Sequence, residues 1–164
     1  MAAGSTYTPI ATTTLGSATP TISFTSISSA YTDLVLIYNG KTVTDNVGYN
    51  MRVNGDSGSN YSYTLLRGNG SVAASSRGTN QTAAVIGFYS TNDQNETLIT
   101  HLMNYSNTSI YKTFLTRASI PKYSVEETIN MWRSTSAINR IDVTAYSGNL
   151  AVGTTLTLYG ISCA

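Results

Sequence analysis

Charge is scarce in this sequence. Asp, Glu, Lys and Arg make up 10% of its 164 residues, against about 25% in an ordinary globular domain. Nine Lys+Arg against eight Asp+Glu leave a formal net charge of +1, which argues against electrostatic binding to nucleic acid, whose affinity comes from neutralising phosphates. Cysteine occurs once, at Cys163, so no intramolecular disulfide can form. Histidine also occurs once, at His101, and no Cys/His zinc pattern exists. No run approaches the roughly 18 apolar residues of a membrane span. The N-terminal MAAGSTYTPI has neither the basic nor the apolar region of a secretory signal, so the expectation is a protein made in the cytoplasm without an address or a membrane partner. N-x-S/T triplets begin at Asn60, Asn69, Asn80, Asn95, Asn104 and Asn107; a chain so rich in these residues produces them by chance, and without a signal none reads as glycosylated.

What the chain does contain is Ser, Thr, Asn, Gly and 12 Tyr, with 41% hydrophobic residues. This favours strands and turns over helices, and the length suits one domain. Residues 1–8 read as a flexible arm and 9–164 as a single β-sandwich. Ile22, Phe24 and Ile27 fall nearly on one face of a strand, and the apolar run Asp33 to Tyr38 reads as a strand covered on both sides. Tyr49 to Val53, the polar turn Asn54 to Asn60, and Tyr61 to Leu66 read as a hairpin, in which Gly55 and Gly58 permit left-handed backbone while Asp56 and Asn60 tie the turn to itself. Arg67 to Asn80 reads as a long Gly/Ser/Asn loop. Thr97 to Tyr105 and Ile110 to Arg117 read as a second hairpin. Ser119 to Thr128, with Pro121 and Glu126-Glu127, reads as an irregular crossing with one short helical turn. Ile129 to Arg133, Arg140 to Tyr146 and Thr154 to Ile161 supply the last strands. About nine to eleven short strands with little or no helix predict an all-β antiparallel sandwich.

Gly55-Asp56-Ser57-Gly58 matches the tetrapeptide around a chymotrypsin-type nucleophile, but that mechanism needs a histidine base oriented by a buried carboxylate, and no histidine precedes Ser57. The turn reading prevails, and no enzyme is expected. His101 reads as a packed or surface strand residue without an acidic neighbour. Asn54, Asp56 and Asn60 offer too few acidic oxygens for an EF-hand loop, leaving at most a weak calcium site. Arg67-Gly68-Asn69-Gly70 lacks the Lys-Ser/Thr and following helix of a phosphate-binding loop. No cofactor or metal is therefore expected. The single tryptophan, Trp132, alternates with Met131 and reads as core or subunit interface, with sugar stacking as the alternative; the tyrosines are equally two-sided. Candidate interface residues are Tyr7, Pro9, Tyr63, Trp132 and Arg133. Candidate braces of the turn are Arg52, Asn54, Gly55, Asp56, Gly58, Asn60 and Tyr61.

The segment Met51-Arg52-Val53-Asn54-Gly55-Asp56-Ser57-Gly58-Ser59-Asn60-Tyr61-Ser62-Tyr63 resembles a hairpin of the form R-F-N-x-D-x-G-x-N-Y found in a jelly-roll-like module of tailed-bacteriophage virion proteins, with Val53 standing where an aromatic is usual. Asn104 to Thr108 with Tyr111-Lys112-Thr113, Trp132 to Thr135 with Ile138 and Ile141, and Leu158 to Ile161 resemble further pieces of it in the same order. The resemblance implies a structural virion protein on the outer surface of a capsid: a decoration (cement) protein that binds the major capsid protein and stabilises the head, self-associating as a homo-oligomer, often a trimer. Its alternative is a tail-fibre or receptor- or carbohydrate-binding module. The N-terminal arm is expected to reach a neighbouring subunit or the shell.

Overall fold

The computed structural model describes residues 6–162. Twelve strands and no helix appear among them: β1 (Tyr7–Thr14), β2 (Thr21–Phe24), β3 (Asp33–Gly40), β4 (Tyr49–Val53), β5 (Tyr61–Gly68), β6 (Ala73–Gln81), β7 (Ala84–Gly87), β8 (Glu96–Met103), β9 (Lys112–Ile120), β10 (Ser124–Trp132), β11 (Ile141–Ala145) and β12 (Thr155–Ile161). They form an eight-stranded sheet in the order β1-β12-β3-β8-β9-β10-β5-β6 and a four-stranded sheet in the order β2-β11-β4-β7. All pairings are antiparallel.

Four of the pairings are nested. β1 pairs with β12, β2 with β11, β3 with β8 and β4 with β7, as if one long hairpin had been wrapped into a barrel-like sandwich. These eight strands make two sheets of four, β1-β12-β3-β8 and β2-β11-β4-β7, which is the jelly-roll arrangement. The other four strands are hairpins inserted into it: β5–β6 between β4 and β7, and β9–β10 between β8 and β11. Both insertions extend the same sheet beyond β8, so the larger sheet doubles in width while the smaller stays at four strands.

The core lies between the sheets. Leu34, Leu36, Tyr38, Leu98, Leu102, Phe114, Leu156 and Leu158 of the larger sheet meet Ile22, Phe24, Met51, Val53, Ile86, Ile141 and Val143 of the smaller one. The alternation that makes these segments strands also selects the face they bury. β8, for example, buries Leu98, Thr100 and Leu102 while Ile99, His101 and Met103 stay half-exposed.

Several sequence expectations are corrected. Tyr7 and Thr8 are not in a loose arm: they pair with Ile161 and Gly160, and side-chain hydrogen bonds Thr12–Thr157 and Thr14–Thr155 continue the ladder. Residues 1–5 of the expected arm lie outside the described residues, as does Cys163. Arg67 to Asn80 is no loop: it holds the end of β5, a four-residue turn at 69–72 and most of β6, and β6 is polar because it is a highly exposed edge. Ser119 to Thr128 is the tight hairpin of β9 and β10, turning at Pro121 to Tyr123, where Tyr123 N donates to Ile120 O at 2.8 Å. Tyr49 to Leu66 is no hairpin. β4 pairs with β11 and β7, while β5 pairs with β10 and β6, so the turn between them is an arch that carries the chain from one sheet to the other.

Candidate functional site

The arch gathers most of the residues singled out in the sequence. At its start Asn54 and Gly55 take left-handed φ of 53° and 68°, the conformation Asn and Gly tolerate best, and Asp56 N closes the turn on Val53 O at 3.0 Å. Asp56 then acts as the hub. Its Oδ1 accepts from Gly58 N at 2.8 Å, and its Oδ2 accepts from Asn60 Nδ2 at 2.9 Å and from Trp132 Nε1 at 2.7 Å. Burial alone would raise the carboxyl pKa. The hydrogen bonds from Trp132, Asn60 and Gly58 outweigh burial and hold it below its ordinary value, because each favours the ionised form.

The neighbours of the hub complete a knot. Tyr61 Oη accepts from Val53 N and donates to Asp56 O, both at 3.2 Å, and its ring stacks on Trp132 with centroids 6.5 Å apart. Asn54 pins the segment that leads into β11, donating to Ala137 O at 2.8 Å and accepting from Asn139 N at 2.9 Å and Arg140 N at 3.2 Å. The Arg133 guanidinium donates to Ser59 O and to Asn80 Oδ1. Trp132 is therefore core, 3% exposed, and Arg133 is occupied within the chain. Arg52 does not brace Asp56; it donates to Thr82 O at 3.0 Å. Ser57 is exposed at the tip, and the nearby carboxylate is fully engaged in holding Trp132, Asn60 and Gly58. His101 does have an acidic partner, Asp33 Oδ2 at 2.8 Å, supplied by the paired strand β3, which its own strand's spacing cannot reveal. Among the described residues no group of three or more His, Cys, Asp and Glu is placed to hold a metal.

The remaining candidates lie apart from the knot. Tyr7 stays exposed at the end of β1, its ring edge-on to Tyr159. Pro9 sits at the bulge of β1, where an edge strand needs no N–H. Tyr63 lies across Gly78 of β6, where a Cβ would strike its ring.

Residues the sequence reading missed sit on β10. This strand is inverted: it turns Ser124, Glu126, Thr128 and Asn130 into the sandwich and Val125, Ile129 and Met131 outward. The inward polar groups serve β7, the open edge of the smaller sheet. Asn130 Oδ1 accepts from Val85 N and its Nδ2 donates to Val85 O, both at 2.9 Å, while Glu126 Oε2 accepts from Phe88 N at 2.7 Å. Side chains of one sheet thus close the edge of the other, which removes an exposed template for strand addition. The signal was present as four polar residues at period two. It was masked by Pro121 and the two adjacent glutamates. Two further carboxylate or amine sites are buried. Glu96 accepts from Tyr49 Oη at 2.6 Å, and burial pushes its pKa up to about 7. Lys112 donates to Ile110 O and Thr135 O, and burial pushes its pKa down.

Fold and site together define a jelly-roll sandwich with an asymmetric pair of sheets and a side-chain-locked arch. No family model matches the chain, and no curated protein matches it. A crystal structure of a protein of unknown function from Shewanella oneidensis MR-1 is similar over 96% of this chain and 77% of that one, at 7% identity and a TM-score of 0.32; a likeness that low carries no argument.

Proposed function

We propose that this chain is a structural virion protein, a decoration (cement) protein that binds the major capsid protein of a tailed phage head from outside and self-associates, with three copies as the expected unit. The resemblance around the arch supplies the virion context. The observation that carries the reading is the inversion of β10. On the outer face of the larger sheet Leu66 and Val125 are 60% and 67% exposed, and Ile129 stands directly between Leu115 of β9 and Thr64 of β5. Ile129 and Met131 are also exposed, and the neighbouring row runs from Leu66 through Glu127 and Arg117 to Ile99 and Ile37, so that two charges stand among the apolar side chains. Exposed apolar side chains clustered on adjacent strands and rimmed by polar groups are the kind of surface that marks a protein–protein contact. Such contacts hold by shape and apolar burial with little ionic steering, which suits a chain of net charge +1. We assign that face to the capsid protein.

The test is co-sedimentation of purified protein with phage heads stripped of it. Wild type is expected to pellet with heads and Ile129→Asp and Val125→Asp to stay in the supernatant, with unchanged melting temperatures because both positions point outward. Failure of wild type to bind, or full occupancy by both variants, refutes the assignment.

A further inference from the structure

The geometry points to a binding site for a neutral saccharide in the cleft at the margin of the smaller sheet, away from the outer face of the larger one. The cleft has a volume of about 670 Å³, within the size range of small-molecule sites. Its walls come from the loop before β4, from β4 and β7, from Tyr63 and Gln81 of the inserted hairpin, and from Tyr146 after β11.

Three properties of the lining select the ligand. None of its residues is charged, whereas the recess of similar volume on the outer face of the larger sheet carries the side chains of Arg117 and Glu127; an anionic or cationic ligand would find no partner in the cleft. Four aromatic residues line it, Tyr63, Phe88 and Tyr146 together with the buried Tyr49. Tyr146 is 74% exposed, which leaves its ring open to stacking. Around the rings stand the amides of Asn46, Asn50 and Gln81, each offering both a donor and an acceptor to adjacent hydroxyls. No hydrogen bond within the chain occupies the side-chain polar groups of Asn46, Asn50, Tyr63 or Tyr146 among the described residues. Apolar faces with hydroxyls around the rim are the chemistry of a pyranose ring, and aromatic platforms with neutral amides complement it.

The rim is also fixed in place. Asn46 N and Val47 N donate to Ser90 O and Ser90 Oγ at 2.8 and 3.1 Å, and Tyr146 N donates to Gly48 O at 3.0 Å. Gly48 has φ of 74°, and a Cβ there would meet Gly87 O and Phe88 O at 2.8 and 2.7 Å. The loop therefore packs directly on the β7 edge, and little ordering remains to oppose binding.

The experiment is saturation-transfer NMR and calorimetry with maltotriose, cellotriose and chitotriose, and with trigalacturonate as the charged control. At least one neutral trisaccharide is expected to bind with millimolar or better affinity, more tightly than trigalacturonate. Tyr146→Ala and Asn50→Ala are each expected to weaken it by about tenfold at unchanged melting temperature, while Val125→Asp leaves it intact. A blank neutral panel, tighter binding of the charged control, or affinity unaffected by both substitutions overturns the proposal. Because Val125 belongs to the capsid-facing surface, loss of head binding and loss of sugar binding are separable results.

Discussion

Replacing Asp56 by alanine tests the arch most directly, since one carboxylate holds three donors there. Gly58 is exposed and Asn60 half-exposed, so water can replace much of what their bonds contribute. Trp132 Nε1 cannot be rescued as easily: the ring is 3% exposed, and a buried donor bonded to a charged acceptor contributes about 1.5–3 kcal/mol. With a smaller share from the other two, Asp56→Ala is expected to cost about 3 kcal/mol, or roughly 6–12 °C in Tm for a domain of this size. Asp56→Asn, which keeps one acceptor oxygen, falls between. The assay is urea unfolding followed by tryptophan emission, which reads the arch alone because Trp132 is the only tryptophan. The effect also has a pH signature. The folded carboxyl lies below its ordinary 3.8, so its contribution is complete above that value and disappears as pH falls through the folded pKa. The gap between wild type and Asp56→Ala should therefore close in acid. A loss under about 1 kcal/mol at neutral pH, or a gap that persists in strong acid, would refute the hub.

Other perturbations probe the remaining polar core and packing. Glu96, raised by burial from 4.5 to about 7, favours its proton in the folded state, so wild-type stability should fall as pH rises between those values; Glu96→Gln should abolish that loss and unfold at higher urea at pH 8, by an amount on the order of 2–3 kcal/mol. Asn130→Ala should cost about 2–3 kcal/mol and speed hydrogen exchange at the Val85 amide, with the amides of β12 little changed. Gly160→Ala places a methyl group against the ring of Tyr31 and should cost about 1–3 kcal/mol by overpacking, measurable by thermal melting.

The positions of β4, β8, β11 and β12 were legible in the sequence because their alternation is dictated by the faces they bury, and that of β3 because its apolar run is continuous. Pairing was less so. The segment from Tyr49 to Leu66 contains the same residues whether its two strands join one sheet or two, and nothing local separates a hairpin from an arch. The decisive contact, Trp132 with Asp56, links positions 76 residues apart. β10 failed for another reason: period-two reading assumes that apolar residues face inward, and here that phase is reversed by the hydrogen-bonding needs of β7. β6, all small and polar residues, looks like a loop because an exposed edge strand has nothing to bury. Asn54, Gly55, Asp56, Asn60 and Tyr61 meet in the arch, where the sequence suggested a hairpin turn, and Arg52 is used elsewhere.

The doubled sheet has a consequence for shape. With strands spaced about 4.8 Å apart, eight strands make a plate roughly 34 Å across and four make one of roughly 14 Å, so the molecule in section is a tapered tile. Tiles set side by side with their broad plates down touch along their margins, at β1 and β6, and their narrow backs stand clear of one another. A layer built this way can bend over a convex surface, opening at the back, without separating at its base.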